Sequence, residues 1–361
     1  MAVLRQLWLT DFRNYRSLEL VFEPGRILFT GANGQGKSNV LEAIAYLGSL
    51  GSFRGAPPDA LIRTGADEAA VRALVQAEDR ELLIEAHLVR GRANKIQVNK
   101  QKLGRARDLI GLMPTTVFGP DDLELIKGGP GLRRGYLDEL LVQLHPRNDK
   151  VRTDVDKILK QRNALLRSSG GRLTADVEST LMVWNDKLAT AGERLGRARL
   201  ELVERLAPRV AEAYIQLAGE GHRVDLVYAP EWLERGLLVE LEAAAKDELR
   251  RGTTLVGPHR DELDVTLSAM PARTHASQGE QRTLSLALRI AGHHELAEVS
   301  GTSPVLLLDD VFSELDVDRA GALLGLLVAD QTMITSASPT PALDSVIQHL
   351  RVDAGTIGSP A

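Results

Sequence analysis

The sequence predicts an α/β fold that is interrupted by an α-helical insertion. Short apolar segments typical of strands surround one strong helical segment in residues 1–125. Helical periodicity dominates residues 126–245, and mixed α/β character returns in residues 246–361. We therefore predict a discontinuous α/β head formed by residues 1–125 and 246–361, which is split by a compact helical arm domain at residues 126–245.

The composition is that of an ordinary soluble globular protein with room for two domains. The chain has 361 residues and a formal net charge of −5 at pH 7, so any contact with nucleic acid must come from a local basic patch. There are no cysteines, which excludes disulfides and fits a cytoplasmic protein. Because we find neither an apolar signal segment nor an apolar run of about 20 residues, we expect no membrane association.

The first element of the head is a strand, a glycine-rich turn and a helix. Residues 27–29 are apolar, and Val40, Ile44 and Leu47 recur at helical spacing after the turn. The turn has the pattern G-x-x-x-x-G-K-S, in which backbone N–H groups and the helix N-terminus attract phosphate. The alternative is a glycine-rich turn that ends in a solvated lysine. The pattern predicts ATP binding by Gly31, Ala32, Asn33, Gly34, Gln35, Gly36, Lys37 and Ser38.

A strand near the carboxyl end supplies the acids that this chemistry needs. Residues 305–308 are continuously apolar, as in a strand covered on both faces, and Asp309 and Asp310 follow. Lys37 would reach the β- and γ-phosphates, and Ser38 and Asp309 would bind Mg²⁺. Asp310 would be the catalytic group that orients water for attack on the γ-phosphate. The alternative is a buried strand that ends in an acidic turn.

A basic stretch follows the first predicted strands of the head. Residues 83–89, 94–99 and 115–118 read as strands, and no acidic residue occurs from 90 to 107. Alternating strand geometry would place several cations on one face, where they could neutralise DNA phosphates. The alternative is a solvated hairpin. The candidate DNA-binding residues are Arg90, Arg92, Lys95, Lys100, Lys102, Arg105 and Arg107.

The insertion has the periodicity of packed helices. Apolar residues between 136 and 166 define two helical faces, and the series from Leu181 to Leu202 alternates by three and four over about three heptads. Pro208 is predicted to end or kink this pattern. The insertion has only about 120 residues, which favours a compact arm over a long tether. The alternative is an ordinary four-helix subdomain packed on the head.

A second candidate anion site lies at the start of a later helix. The segment Ser277-Gln278-Gly279-Glu280-Gln281 precedes apolar residues at helical spacing, so a hydroxyl and a glycine stand at a helix N-terminus. A simple capping sequence would look the same. The segment lies shortly before the Asp309–Asp310 strand, and this position favours the functional interpretation.

In combination, these motifs resemble the ABC-type ATPase head of SMC proteins and their DNA-repair relatives. Within that group, the chain resembles the RecF family over essentially its whole length. The Ser313-Glu314-Leu315-Asp316 segment belongs to this pattern. So do the stretches at residues 9–15, 128–138, 160–163 and 257–260. The combination is far more specific than any one of the motifs.

The resemblance implies an ATP-dependent homodimer that binds ATP with Mg²⁺. Two heads would meet head-to-tail, and Ser277 and Gly279 would contact the nucleotide of the other head, Ser277 in a catalytic role. Arg13 and Arg54 are candidates for phosphate contacts, or else surface cations. Most of the wider group has glutamate where this chain has Asp310, which is one methylene shorter, so we expect slow hydrolysis.

Three further residues depart from the wider pattern or look functional. No glutamine follows residues 115–118, where the wider group has one near the metal, and Asp121 is the candidate there. No histidine follows the strand at residues 333–335, so Ser336 is the candidate for the switch position. His259 follows Gly257-Pro258 and has no neighbouring metal-spaced histidine, so we expect it to have a structural or interface role.

The function implied by the resemblance is ATP-dependent DNA binding in recombinational repair and replication restart. Such a protein would recognise single-strand gaps or single-strand/duplex junctions. It would help to load recombinase together with RecR- and RecO-type mediator proteins. Two alternatives stay open: the nucleotide-binding subunit of a membrane transporter, and an SMC-like DNA bridge in which hydrolysis has no importance.

Overall fold

A computed structural model describes residues 2–77, 80–327, 329–337 and 346–358. The strands in this part of the chain are β1 Ala2–Phe12, β2 Tyr15–Val21, β3 Gly25–Thr30, β4 Glu68–Ala77, β5 Arg80–Val89, β6 Lys95–Val98, β7 Gln101–Lys102, β8 Thr115–Phe118, β9 Val224–Val227, β10 Asp264–Leu267, β11 Met270–Pro271, β12 Val305–Asp309, β13 Gln331–Ser336, β14 Val346–Asp353 and β15 Thr356–Gly358. The helices are α1 Lys37–Ser49, α2 Pro58–Leu61, α3 Glu124–Lys127, α4 Pro130–Leu144, α5 Arg147–Ser168, α6 Ala175–Ala218, α7 Trp232–Arg235, α8 Leu237–Arg251, α9 Ala272–His275, α10 Gln278–Ser300 and α11 Val317–Leu326. Short 3₁₀ helices cover Ala106–Leu109, Pro120–Leu123 and Val311–Glu314. The strands predicted near residues 83–89, 94–99 and 115–118 are confirmed as β5, β6 and β8.

The chain divides into two compact units. One consists of Met1–Leu123, Glu212–Glu220 and Arg282–Ala361, and the other of Glu124–Ala211 and Gly221–Gln281. The second unit therefore includes residues 246–281, which the sequence prediction places in the head. The reason lies in α8, where Glu248 pairs with Arg162 of α5, and Leu249 packs against Leu166 and Leu181.

An antiparallel sheet with the strand order β2-β1-β4-β5-β6-β7 forms part of the first unit. Every second side chain of β4 is buried, at Ala69, Val71, Ala73 and Val75. This alternation is expected of a sheet that covers a core with one face and meets solvent with the other.

A second sheet in this unit has the order β15-β14-β3-β13-β12-β8, in which only the edge strand β15 is antiparallel. Strands β12 and β13 are buried along their whole length, in keeping with the continuous apolar run at residues 305–308. The register pairs Asp309 with Thr335 and Ser336 with Thr30. The carboxyl ends of β3, β13 and β12 therefore meet at one edge, where open α/β sheets bind their ligands.

Helix α1 connects the cores of the two sheets. It contacts β1 and β4 of the first sheet and β8, β12 and β13 of the second. Its apolar residues Val40, Ile44 and Leu47 are fully buried in one hydrophobic cluster with residues from both sheets. Every residue from Val40 to Gly48 is buried, so the helix is enclosed on all sides and not along one face only.

The second unit is mainly helical and also holds the small sheet β11-β10-β9. Residues 136–144 lie on α4 and 155–166 on α5, as the periodicity predicts. Helix α6 continues through Pro208 to Ala218, so this proline does not end the helix. Among the helices of the described ranges, none combines the length and apolarity needed to cross a membrane.

A fully buried arginine links three helices of this unit. Arg162 donates to Asn185 Oδ1 at 2.8 and 2.9 Å, to Glu248 Oε2 at 2.6 Å and to Thr254 Oγ1 at 2.8 Å. A buried charge is tolerated when its donors are satisfied in this way. In the sequence Arg162 belongs to a second basic run, a weaker candidate for DNA contact that consists of Lys150, Arg152, Lys157, Lys160, Arg162 and Arg167. In the structure it is a core residue and contributes no charge to the surface.

His259 has the structural placement expected from the sequence. Its Nε2 lies 3.1 Å from the Thr254 carbonyl oxygen, and its buried Nδ1 has no hydrogen-bond partner among the described residues. Burial lowers the pKa of His259 to about 4, so the ring is neutral at pH 7. Pro258 next to it accepts a hydrogen bond of 2.7 Å from Arg199, which also forms an ion pair with Asp138.

Candidate nucleotide-binding site

The glycine-rich loop lies between β3 and α1, in the context that the sequence predicts. Gly31, Gly34 and Gly36 have φ angles of 152°, 81° and 116°. A Cβ at Gly31 would lie 2.2 Å from the Val352 carbonyl oxygen, and a Cβ at Gly36 would lie 2.6 Å from Asn14 Nδ2. Gly31 and Gly36 are therefore required by both conformation and space.

Lys37 is held inside this loop. Its Nζ donates to the carbonyl oxygens of Gly31 at 2.7 Å and Ala32 at 3.0 Å. Burial lowers the pKa of Lys37, while the nearby carboxylates of Asp310 and Asp309 act in the opposite direction. The loop lysine and the two acids, far apart in the sequence, thus lie within electrostatic reach of each other.

Thr335 fixes both acids at the end of β12. Its hydroxyl donates to Asp309 Oδ1 at 2.8 Å and accepts a hydrogen bond of 2.9 Å from the Asp310 N–H. Asp310 has a left-handed φ of 52°, which turns the chain sharply at the sheet edge. Thr335 carries no sequence signal of this role, which becomes visible only because the register of β13 beside β12 pairs it with Asp309.

The donor set at this edge fits a magnesium nucleotide. Ser38, half-buried in the first turn of α1, supplies a hydroxyl, and Asp309 supplies a carboxylate. Oxygen ligands of this kind are those that Mg²⁺ prefers. The start of α1 and its preceding glycines provide backbone N–H groups for phosphate oxygens.

The two strand ends beside β12 carry the other candidate residues. Asp121 is exposed just after β8, whereas its neighbour Asp122 is buried and accepts hydrogen bonds from Arg289 at 2.8 Å and from Gly119 N–H at 2.9 Å. Ser336 is buried at the end of β13. Asp122 is thus a structural acid, and Asp121 is the one with an accessible carboxylate.

The two arginines proposed for phosphate contact have different surroundings. The guanidinium of Arg13 forms two 2.7 Å hydrogen bonds with the carboxylate of Glu42 on α1, and its Nη1 donates to the Ala60 carbonyl at 2.9 Å. Arg54 is exposed and donates to Asn39 in the first turn of α1 at 3.3 Å. Of the two, Arg54 has the more accessible charge beside the helix start, and Glu42 is a partner that sequence reasoning missed.

The start of α10 forms a reciprocal cap. The Ser277 N–H donates to Glu280 Oε2 at 2.7 Å, and the Glu280 N–H donates to Ser277 Oγ at 3.4 Å. The hydrogen bonds with Ser277 lower the pKa of Glu280. Ser277 is exposed and Gly279 is half-buried, and Ser277 belongs to the second unit.

The basic stretch forms the edge of the antiparallel sheet. Lys95 is exposed on β6 while the adjacent Ile96 is buried, as strand alternation predicts. Asn99 and Lys100 form the turn between β6 and β7, with φ angles of 50° and 64°. Six of the seven candidate cations are exposed and the seventh, Arg107, is half-buried; the exposed ones are Arg90, Arg92, Lys95, Lys100, Lys102 and Arg105.

Matches to known proteins extend over nearly the whole chain. The family model of the RecF/RecN/SMC N-terminal domain matches residues 3–343. A protein of Frankia alni named "DNA replication and repair protein RecF" is 45% identical, in an alignment that covers 92% of this chain and 93% of the relative. The chain belongs to the RecF family. A relative of the same name from Streptomyces avermitilis is 42% identical, over 97% of this chain and 98% of the relative.

Solved structures support the same family assignment. The structure described as the recombination mediator protein RecF-ATP in the RecFOR pathway has a TM-score of 0.91 and 30% identity, covering 100% of this chain and 98% of that chain. An SMC head domain from Pyrococcus furiosus, with a TM-score of 0.58 and 16% identity over 100% of this chain and 97% of that chain, shares the fold. The predicted α/β head of the ABC and SMC type is thereby confirmed.

Proposed function

We propose that this chain is an ATP-dependent DNA-binding protein of recombinational repair and replication restart. The observation that carries the proposal is that Lys37 lies within electrostatic reach of Asp309 and Asp310 at one sheet edge, in a chain of the RecF family. The match over nearly the whole chain to relatives named for DNA replication and repair favours this function over that of a transporter subunit.

Residues of the first unit would bind and hydrolyse ATP. The loop residues 31–38 would hold the phosphates, with Ser38 and Asp309 as the Mg²⁺ ligands. When bound, Mg²⁺ would neutralise part of the phosphate charge. Asp310 would orient the attacking water, and its short side chain supports slow hydrolysis. Arg54 remains a candidate for phosphate contact, and the pairing with Glu42 makes Arg13 a weaker one.

Nucleotide would act as a switch between monomer and homodimer. Ser277 and Gly279 would contact the nucleotide of a second copy, in a head-to-tail arrangement. The exposure of the Ser277 hydroxyl at a helix start supports this role. The chain would consist of a head and a helical arm, with the arm at residues 126–245 or at the limits of the second unit, which extend to residue 281 and exclude residues 212–220.

The DNA partner would be single-stranded, gapped or junction duplex, and further partners would be RecR- and RecO-type mediators in the cytoplasm. The exposed cations of β5–β7 would bind the phosphate backbone without reading sequence. Asp121 would act near the metal, and Ser336 would be the switch residue. None of these roles requires a membrane.

The first experiment measures binding to gapped duplex, single-stranded DNA and intact duplex, with and without MgATP, at physiological salt. We expect MgATP to strengthen binding to gapped DNA, and Lys37→Ala to abolish this effect. Absence of DNA binding in every nucleotide state would contradict the proposed function while leaving the ATPase head in place.

A second experiment tests the DNA surface. Replacing Lys95, Lys100 and Lys102 with alanine should weaken DNA binding and reduce the slope of log K against log salt by about one for each lysine that contacts a phosphate. The matched control replaces three exposed lysines of α5, at positions 150, 157 and 160. An equal loss in both triple variants would argue against a specific surface on the β5–β7 edge.

A further inference from the structure

We propose that Asn14 and the turn between β14 and β15 are positioning elements, which hold one peptide group of the glycine-rich loop in its phosphate-binding orientation. This inference rests on the proposed binding of ATP by that loop. The peptide group is the one between Gln35 and Gly36.

The Gln35 carbonyl oxygen is held from two directions. It accepts a hydrogen bond of 3.0 Å from Asn14 Nδ2, in the turn between β1 and β2, and one of 3.2 Å from the Gly355 N–H. The Gln35 side chain adds a third contact, because its Oε1 accepts a hydrogen bond of 2.6 Å from the Ala354 N–H. Two turns that are far apart in the sequence thus meet at a single loop residue.

The orientation of this peptide group decides whether a bound phosphate would contact an N–H group or a carbonyl oxygen. In a trans peptide, the C=O of one residue and the N–H of the next point in opposite directions. With the Gln35 carbonyl bound to Asn14 and Gly355, the Gly36 N–H points away from them, and the proposal places the phosphate on that side. A flipped peptide would present a carbonyl oxygen there, which repels an anion.

Gly36 makes such a flip easy. It has a φ angle of 116° and no Cβ, so rotation of the preceding peptide meets little steric resistance. The next carbonyl is held as well, because the buried Tyr15 hydroxyl donates to the Gly36 oxygen at 3.0 Å. Burial raises the pKa of Tyr15, so this hydroxyl keeps its proton and remains a donor.

Asn14 is itself fixed by its neighbours. Its Oδ1 accepts a hydrogen bond of 2.8 Å from Asn39 Nδ2, which directs the Asn14 amide group toward Gln35. The preceding Arg13 is anchored to Glu42 of α1. The turn therefore acts as a rigid support and not as a mobile loop, and this is what a positioning residue requires.

The test compares ATP affinity in three near-isosteric, uncharged variants. Asn14→Leu removes the hydrogen bond to the Gln35 carbonyl together with the one from Asn39, and Gln35→Met removes the one from the Ala354 N–H. In each variant the Kd for ATP should rise about threefold to tenfold. Asn148→Leu is the matched control, because Asn148 Nδ2 donates to the Leu141 carbonyl at the same distance of 3.0 Å but in the second unit. It should change thermal stability and leave the ATP affinity unchanged.

The double variant provides a measurement that a general loss of stability would not alter. Because Asn14→Leu and Gln35→Met act on the same loop residue, their effects on ATP affinity should be non-additive, whereas Asn148→Leu should add nothing to either. Unchanged ATP affinity in Asn14→Leu, or an equal loss in Asn148→Leu, would overturn the proposal.

Hydrogen exchange gives a second readout within the wild-type protein. MgATP should slow amide exchange in the peptide that contains Ala354 and Gly355, and Gln35→Met should reduce this protection. Exchange that does not respond to MgATP in a wild-type protein shown to bind ATP would contradict the inference. If the wild type and Lys37→Ala bind ATP equally, it is the proposed function of the loop that fails.

Discussion

Helices α1 and α10 both begin at segments that the sequence predicts to bind phosphate, but their first turns are capped in different ways. Gly36 precedes α1 and has no side chain with which to cap it. At α10, by contrast, Ser277 and Glu280 bond to each other's backbone. The start of α1 therefore has no side-chain cap, although its Asn39 N–H already donates to the Gly36 carbonyl oxygen, whereas a cap and a carboxylate occupy the start of α10.

This difference shows that one sequence signal, a polar glycine-containing helix start, can describe two kinds of site. Lys37 is the first residue of α1 and lies within electrostatic reach of the acids at the end of β12. The α1 start therefore has a positive charge that could hold a nucleotide without a second copy of the chain. The α10 start carries the negative charge of Glu280, which disfavours an anion unless other cations accompany it.

The largest expected effect is on ATP affinity, which should depend on the start of α1. Lys37→Ala removes the cation of the α1 site, so the Kd for ATP should rise about 100-fold or more. Isothermal titration with ATP provides the measurement. Lys246→Ala, which removes an exposed lysine of α8, serves as the control and should bind ATP normally. If Lys37→Ala and Lys246→Ala bound ATP equally well, the start of α1 would have no special role in ATP binding.

The next effect concerns assembly and not affinity. Ser277→Arg places a bulky cation at the exposed α10 start, so it should abolish MgATP-driven dimerisation while leaving ATP binding by the monomer unchanged. Light scattering with and without MgATP measures this. Ser179→Arg is a matched control, because Ser179 is an exposed serine near the start of α6 in the same unit. Dimerisation of Ser277→Arg at the wild-type level would contradict a role of this segment in trans.

The smallest effect is on stability and depends on pH. Glu280→Ala removes the carboxylate half of the reciprocal cap and leaves the backbone bond to Ser277 in place, so it should cost about 0.5 kcal/mol at pH 7. The hydrogen bonds with Ser277 lower the pKa of Glu280 in the folded state. The cap is therefore fully effective above the unfolded pKa and is lost as the pH falls through the lower folded value.

Denaturant unfolding of wild type and Glu280→Ala across this acidic range measures the pH effect. The two proteins should converge in stability at low pH. Glu178→Ala, in the first turn of α6, is the control and should show a smaller difference at pH 7. If the difference between Glu280→Ala and wild type persists at low pH, the carboxylate charge does not account for the cap.

Much of the nucleotide site was predictable because it is local in sequence. The order of strand, turn and helix around residues 31–38 follows from apolar spacing and from glycines that permit positive φ angles. The buried strand ending in Asp309 and Asp310 was equally clear, since a continuous apolar run predicts a strand covered on both faces. Here local patterns and the tertiary environment favour the same conformation.

Other predictions needed information that spacing does not contain. The basic run on α5 included Arg162, which is buried and bonded to Glu248. Spacing along a helix does not distinguish such a buried, hydrogen-bonded arginine from one that is exposed to solvent. Arg13 shows the same limit, since its partner Glu42 is 29 positions away. Pro208 was predicted to end or kink the helical pattern, and the first of these alternatives is wrong because α6 continues through it.

The sequence by itself determined the family, the α/β head, the phosphate-binding loop and the acidic strand end, because each depends on residue types at short, fixed spacings. Only the tertiary structure decided which distant groups meet. It brought Lys37 within electrostatic reach of Asp309 and Asp310, bonded Thr335 to the Asp309 carboxylate and the Asp310 N–H, and joined Asn14 and Gly355 at Gln35. The physical reason is that periodicity defines which face of a strand or helix is buried, whereas the partner on that face is set by strand register and chain topology.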